Sequence, residues 1–516
     1  AAYLSAQAAH SQATVDEAPA AAPAQVVIGY DCRRMSAQFA LEAGQVLAAA
    51  GIKAYVFEHL CPTPELSYAV RELGAQAGIM ITASHNPPEY NGYKLYGPDG
   101  GQILPEVASA ITHEIASIND VFGIASLPRT DAEKRGLLVW LGRDLDERYY
   151  EAVVSEVVQP HISLAERAEL RVVYSPLHGT GNLPVQEVLK RAGYSNVFLV
   201  ASQEQPDGEF PTVKSPNPEE PEAFVLALQQ AREVGADVVL ATDPDADRVG
   251  VAALDEAGDY HLFTGNQTGG LLLDFLIGQR EWADRVGDNA IVLKTIVTSD
   301  LGAAVARAHG IAVEDTLTGF KYIGDKIRLY EENGEKQFFF GYEESYGYLI
   351  SPTVRDKDAV QSCLAIAEMA AYYKQQGRTL LQALQNLYER VGYFREELMS
   401  VTLPGVQGLD TIQAIMRHLR VNSIAVEGLS VAAVEDYQTG WRSVGEQQER
   451  LTLPSSDVLK YVFENGTWLA VRPSGTEPKI KFYLGSQGRD LADCETQLLH
   501  MRTSVKKILD SAQTPD

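Results

Sequence analysis

The strongest constraint on the fold is a pattern that occurs three times: an apolar, β-prone run, a polar loop, and a second β-prone run, with helix-like patterning between the copies. The first copy is Gly78-Ile-Met-Ile-Thr-Ala-Ser-His-Asn-Pro-Pro, leading to Tyr93-Lys-Leu-Tyr96. The second is Ala236-Asp-Val-Val-Leu-Ala-Thr-Asp-Pro-Asp-Ala-Asp-Arg, followed by Val249–Leu254. The third is Gln337-Phe-Phe-Phe-Gly-Tyr-Glu-Glu-Ser-Tyr-Gly, followed by Tyr348-Leu-Ile350. Helical stretches such as 37–50 and 221–234 alternate with these runs, which predicts α/β units whose ligand loops sit at strand ends. The remainder, from about Arg395, opens with a strand-like run at 398–403 and closes with a helical one at 491–509, as a smaller α+β domain would.

At about 150 residues per domain, 516 residues suggest three or four domains. The expected boundaries are 1–158, 159–275, 276–394 and 395–516. Two Pro-rich stretches, 206–221 and the N-terminal Ala/Pro segment, read as long loops or linkers. The formal net charge of −26 argues against nucleic acid or an anionic membrane as a partner, so an anionic substrate must meet a locally basic pocket. Cys32, Cys61, Cys363 and Cys494 lie far apart without metal-ligand spacing, which points to a reducing compartment and a cytoplasmic address. The best apolar run, Leu271–Ile277, is interrupted by Asp274 and is far shorter than the roughly 20 residues of a membrane span.

Each polar loop carries chemistry beside an ordinary reading. Asp243-Pro-Asp-Ala-Asp-Arg248 sets three carboxylates two residues apart after an apolar strand, suited to one hard cation that takes oxygen ligands. A calcium-binding EF-hand would need Gly and Glu where Arg248 and Leu254 stand. A solvated acidic turn is the alternative. The Thr82–Gly92 loop offers a nucleophile (Ser84), an imidazole (His85) and, in the following strand, a cation (Lys94), although turn formers such as Asn, Pro and Gly dominate it. Arg472-Pro-Ser-Gly-Thr476 groups a guanidinium, two hydroxyls and a glycine that lets backbone N–H groups approach an anion, and it also reads as a tight turn. Gly341-Tyr-Glu-Glu-Ser-Tyr-Gly347 holds acceptors for sugar hydroxyls, and Lys321 follows an aromatic residue in Thr316-Leu-Thr-Gly-Phe-Lys.

Together these loops resemble the α-D-phosphohexomutase family. The match also includes Gly29-Tyr-Asp-Cys-Arg-Arg34, Pro176-Leu-His-Gly-Thr-Gly181, Pro206-Asp-Gly-Glu-Phe-Pro-Thr-Val213 and Gly265-Asn-Gln267, in order along nearly the whole chain. The resemblance implies three tandem similar α/β domains plus a smaller C-terminal α+β domain around a central cleft. It implies that Ser84 carries a phosphoryl group and that Asp243, Asp245 and Asp247 bind Mg²⁺ together with an oxygen on Ser84. Arg33, His85, Lys94 and Arg248 would lie at the transferring group, with Lys321 as general base. Thr318, Gly319, Glu343 and Ser345 would contact the sugar, and Arg472, Ser474, Gly475 and Thr476 would cradle its non-reacting phosphate.

The implied activity is interconversion of glucose 1-phosphate and glucose 6-phosphate through a bisphosphorylated sugar, with glucose 1,6-bisphosphate as activator and a small-molecule sugar phosphate as the partner. Gly319-Phe-Lys321 is similar to the glucose and pentose branches. A pentose or mannose phosphate mutase, a catalytically idle sugar-phosphate-binding protein and a phosphohydrolase are the alternatives. Two departures from the family stand out: Pro244 replaces a common glycine in the acidic loop, and the family's N-terminal Gly-Thr-x-Gly-x-Arg-Gly segment is absent before Ala1, which predicts a reduced active-site floor.

Overall fold

A computed structural model describes residues 1–4, 23–279, 284–403, 406–474 and 478–513. The first sheet comprises β1 (Gln25–Tyr30), β2 (Lys53–Phe57), β3 (Ala77–Ile81), β4 (Tyr93–Tyr96) and β5 (Leu138–Leu141), ordered β4-β3-β1-β2-β5. Its pairs are parallel except β3 with β4, which run antiparallel. Val26, Val27 and Ile28 are wholly buried in β1. A central parallel strand covered on both faces needs such a continuous apolar run, and each of these side chains contributes about 1.5–3 kcal/mol by burial.

The second sheet repeats the plan with β6 (Arg171–Ser175), β7 (Asn196–Leu199), β8 (Val238–Thr242), β9 (Val249–Leu254) and β10 (Tyr260–Phe263), ordered β10-β9-β8-β6-β7. Here β6 pairs in parallel with β7 and β8, and the chain then returns antiparallel through β9 and β10. A third sheet, β11 (Ala290–Thr295), β12 (Ala312–Thr316), β13 (Gln337–Glu343) and β14 (Gly347–Leu349), has the order β12-β11-β13-β14, with β13 and β14 antiparallel.

The fourth sheet is different in kind. It consists of β15 (Tyr393–Thr402), β16 (Val431–Asp436), β17 (Trp441–Val444), β18 (Gln447–Arg450), β19 (Leu459–Phe463), β20 (Trp468–Pro473) and β21 (Lys479–Gly488), ordered β15-β21-β20-β19-β16-β17-β18, and its pairs are antiparallel. Met416 and Leu419 from the helix Val406–Val421, and Met501 and Val505 from the helix Leu491–Gln513, share one core with Tyr461, Val471 and Phe482 of this sheet. Its outer strand β18 is fully exposed and polar, which blunts the edge against pairing with other chains.

The three α/β units and the smaller α+β unit expected from the sequence are therefore present. The strand expected at 398–403 begins earlier, at Tyr393, because β15 pairs with β21 along its whole length. The helix expected at 221–234 begins as a 3₁₀ turn, Pro221–Phe224, before the α-helix Val225–Val234. The 206–220 stretch has no regular element, as its composition predicts. Compact packing divides the chain into two units: Ala1–Leu293 with Gly319–Ala383, and Lys294–Thr318 with Leu384–Asp516. No described helix is long and apolar enough to cross a membrane.

Candidate active site

One structural position recurs in the first unit. The chain leaves β3, β8 or β13 at a polar loop and returns antiparallel as β4, β9 or β14. Each loop holds a non-glycine residue in left-handed backbone: Ser84 (φ 51°), Ala246 (φ 51°) and Tyr346 (φ 64°). Such conformations cost on the order of 1–3 kcal/mol and persist only where the surroundings impose them. These are the loops that sequence analysis singled out for the nucleophile, the metal and the sugar.

The first two loops meet. Ser84 Oγ donates to Asp243 Oδ2 at 2.8 Å, and His85 Nδ1 lies 3.4 Å from the same Oγ. Asp243 Oδ1 accepts from the backbone N–H groups of Asp247 (3.1 Å) and Arg248 (3.0 Å), which folds the acidic loop around its first carboxylate. Oxygens of Asp243, Asp245 and Asp247 lie within 4.8 Å of one another, and all three residues are buried. Asp245 Oδ1 and Asp247 Oδ1 have no hydrogen-bond partner. Buried, convergent carboxylate oxygens that accept no hydrogen bond are costly by themselves and are the donor set that a hard divalent cation takes. Pro244 fits the loop: its carbonyl accepts from Thr180 N at 2.8 Å, and Gly179 packs so closely that a Cβ there would lie 2.4 Å from Pro244 Cα.

Cations surround the cluster. Lys94 Nζ, on β4, is 2.8 Å from Asp245 Oδ2 and 3.8 Å from Asp247 Oδ2. Lys357 Nζ is 3.1 Å from Asp247 Oδ2 and 3.3 Å from Asp356 Oδ1. Arg248 pairs with Glu219 and has Nε 3.8 Å from Asp247 Oδ1. These three cations pair with the carboxylates of the cluster and with Asp356 and Glu219. Burial alone disfavours every one of these charges. Neighbouring carboxylates reverse that for Lys94 and Lys357, whose pKa values rise. Burial also opposes ionisation of Asp245, and Lys94 with Thr63 outweighs it, so that carboxyl falls below its usual range. Asp243 shifts the other way, through burial and then the two neighbouring carboxylates. His85 is pushed down to about 2, by burial first and then by Arg248.

Support comes from elements far apart in the chain. Thr63, at the start of the helix Thr63–Glu72, donates its backbone N–H to Asp245 O and its hydroxyl to Asp245 Oδ2, both at 2.9 Å. Ser215 Oγ donates to His85 O at 3.1 Å, which ties the 206–220 stretch to the nucleophile loop. Arg33 lies beneath that loop with its side chain wholly buried.

The remaining predicted residues divide between the two units. In the first unit, the Glu343 carboxylate accepts from Gly319 N at 2.9 Å, and burial raises its pKa to about 7. Ser345 sits half-buried in the turn after β13. Lys321 lies in the first turn of the helix Phe320–Asn333, with Nζ 5.3 Å from the Tyr322 ring centroid. In the second unit, Thr318 is half-buried, and Arg472 lies on β20 opposite Lys481 of β21. Ser474 N donates to Lys479 O at 2.7 Å. Gly475 and Thr476 lie outside the described residues.

Lys357 and Thr63 join the cluster without having been expected there. The signal for Lys357 was the charged run Arg355-Asp356-Lys357-Asp358 immediately before the apolar helix Ala359–Gln375, a density of charge that a simple helix start does not need. Thr63 had no comparable signal, since Thr-Pro at a helix start is ordinary capping chemistry.

Comparison with known proteins identifies the family. Residues 3–121, 147–256 and 264–391 match the alpha/beta/alpha domains I, II and III of phosphoglucomutase/phosphomannomutase, and residues 420–497 match its C-terminal domain. The chain belongs to this family. It is 41% identical to a phosphoglucomutase of Staphylococcus haemolyticus, over 89% of this chain and 82% of that one. It is 37% identical to a phosphoglucomutase of Staphylococcus aureus, over 91% and 83%. Among solved structures, parafusin, a phosphoglucomutase from Paramecium, aligns with a TM-score of 0.69 at 16% identity, covering 95% of this chain and 88% of that one. A phosphoglucomutase/phosphomannomutase family protein from Burkholderia thailandensis gives 0.66 at 18%, covering 96% and 91%. At those identities the solved structures speak for the fold of this phosphohexomutase.

Proposed function

We propose that this phosphohexomutase is a phosphoglucomutase that interconverts glucose 1-phosphate and glucose 6-phosphate through phosphorylated Ser84 and a bisphosphorylated sugar. The observation that carries the reading is the Ser84 hydroxyl held 2.8 Å from Asp243 at the edge of a buried three-carboxylate cluster. A hydroxyl there is placed to carry a phosphoryl group beside a cation, and relatives about 40% identical bear the name phosphoglucomutase.

Asp243, Asp245 and Asp247, with an oxygen on Ser84, would hold Mg²⁺, which supplies neutralisation of the charge on the phosphoserine and on the transferring group. Phosphoryl transfer passes through a loose transition state, so the protein contributes chiefly position and charge. Lys94, Lys357 and Arg248 surround the site with positive charge. His85, held neutral, adds no charge of its own. In the first half-reaction the sugar's free hydroxyl attacks the phosphoryl group on Ser84, and Lys321 takes the hydroxyl proton. Glu343, Ser345, Thr318 and Gly319 orient the sugar, and the Arg472 loop with Ser474, Gly475 and Thr476 holds the other phosphate. The bisphosphate then turns over and returns its second phosphoryl group to Ser84, so glucose 1,6-bisphosphate primes the enzyme. The segments 1–158, 159–275, 276–394 and 395–516 would then supply nucleophile, metal, sugar and phosphate loops in turn.

A coupled assay tests the reading. Glucose 1-phosphate with a catalytic amount of glucose 1,6-bisphosphate and Mg²⁺ should give glucose 6-phosphate, with kcat/KM above those for mannose 1-phosphate and ribose 1-phosphate. A preference for either of those sugars would assign the chain to another branch. Stoichiometric release of inorganic phosphate would make it a hydrolase.

A further inference from the structure

Arg33 was expected beside the transferring phosphoryl group, yet its hydrogen bonds point elsewhere. Its Nη1 donates to the carbonyls of Pro87 (2.8 Å) and Tyr90 (2.9 Å), and its Nη2 donates to those of Ser84 (2.5 Å) and Asn86. Its Nε faces Asp31 Oδ2 at 3.2 Å. A guanidinium has five N–H donors and no acceptor. Four are engaged by carbonyls of the nucleophile loop and the fifth is turned to a carboxylate, which leaves none for a phosphate oxygen in this arrangement.

The side chain is itself held on every side. Asp31 is buried, and its Oδ1 accepts from the Arg33 backbone N–H at 2.9 Å and from Ser36 Oγ at 2.8 Å. The Phe210 ring stacks against the guanidinium at 5.0 Å, on a backbone of φ 46°. Gly208 approaches so closely that a Cβ there would lie 2.9 Å from Arg33 Cα and 2.7 Å from Cys32 O. The second α/β unit thus backs the arginine that backs the loop of the first.

We infer that Arg33 is a positioning residue for Ser84: a four-pronged clamp on the carbonyls of residues 84 to 90 that imposes the left-handed backbone at Ser84 and aims its Oγ at the metal loop. The inference rests on Ser84 being the phosphoryl carrier. Only a planar fork can reach four carbonyls at once, so lysine, with the same charge and three donors at a single point, cannot replace it. A displacement of the nucleophile by about 1 Å costs about 100-fold in rate without changing how the rest of the substrate is gripped.

The test is Arg33→Lys, assayed for glucose 1-phosphate turnover and normalised to the fraction of enzyme that glucose 1,6-bisphosphate labels with phosphate. The expected result is a kcat about 100-fold lower per labelled molecule with KM within about twofold of wild type. A kcat within about threefold of wild type, or a KM raised tenfold or more at unchanged kcat, overturns the proposal, the second because it marks a phosphate ligand. Should Arg33→Lys not fold, Asp31→Asn decides: it keeps the fork and loosens its aim, and should lower kcat about tenfold at constant KM, with the same two contrary results counting against. Ser84→Ala runs alongside. If that variant keeps turnover and phosphate labelling, the carrier assignment fails, which is separable from any result at Arg33.

Discussion

Replacing Lys357 with methionine removes a charge and leaves the packing nearly intact. The aliphatic stem lies on Gly347, where a Cβ would come within 2.0 Å of Lys357 Cδ, and the ammonium is 5.7 Å from the Phe320 ring centroid. Methionine fills the same channel. What disappears is the ion pair at 3.1 Å with Asp247 and the contact at 3.3 Å with Asp356. At an effective dielectric of about 20, unit charges at that separation attract by about 5 kcal/mol, and the burial of Lys357 offsets part of this. Removing one partner of a buried pair typically costs about 3–5 kcal/mol. Lys94 still stands 3.8 Å from the same Asp247 oxygen, so a loss of about 3 kcal/mol is expected in metal-free protein.

A divalent ion at the triad answers the same charge deficit. Loss of the ammonium should therefore tighten Mg²⁺ binding at least about tenfold, equivalent to about 1.4 kcal/mol. Because a ligand that binds only the folded state stabilises it in proportion to the logarithm of its affinity, saturating Mg²⁺ should narrow the stability gap between variant and wild type by at least that amount. Urea unfolding of both proteins with EDTA and with saturating Mg²⁺ measures the four values. Turnover of the variant should fall at every metal concentration. An equal or wider gap in Mg²⁺ would show that Lys357 and the metal do not share one electrostatic site.

Ser84→Ala should abolish both turnover and phosphate labelling by glucose 1,6-bisphosphate, read by phosphopeptide mapping; labelling at another residue would remove Ser84 from its role. His85 is held at about 2 in the folded chain against an ordinary value near 6.5, so the unfolded state alone binds its proton between those values. Its contribution to stability is therefore complete above about pH 6.5 and is lost progressively as pH falls, and the pH slope of urea unfolding in His85→Asn should be shallower below about pH 6.5 than in wild type; identical slopes would count against a buried neutral imidazole. Glu368 is wholly buried and accepts from Arg167 Nε (2.7 Å) and Nη2 (2.9 Å), Tyr194 OH (2.7 Å) and Gln159 N (2.8 Å). Glu368→Ala leaves the Arg167 charge buried without a partner and should cost about 3–5 kcal/mol in urea unfolding, with a change under about 1 kcal/mol showing that the network relaxes.

The repeated strand–loop–strand units, the polar loops that hold the candidate site residues, and the family are all legible in local sequence. Ser84, the three aspartates and Glu343 were legible because each sits where an apolar β-run stops at a polar loop, a local signal that needs no partner to be read. Pro206 to Pro221 read as loop for the same reason: its composition excludes regular structure. Only tertiary structure could show what Arg33 holds, and only it brought Thr63 and Lys357 to the acidic cluster. The resemblance put Arg33 beside the transferring group, and its contacts with the carbonyls of Ser84, Asn86, Pro87 and Tyr90 exist only once the chain is folded. Thr63 lies 182 positions from the carboxylate it supports, and Lys357 pairs with an aspartate from the preceding α/β unit. Hydrophobic periodicity records which face of an element is buried, a property of neighbours in the chain. Which donor meets which acceptor is decided by how separate sheets pack, and burial then selects the pairs, because an unpaired charge or N–H group in that interior would cost more than the fold could sustain.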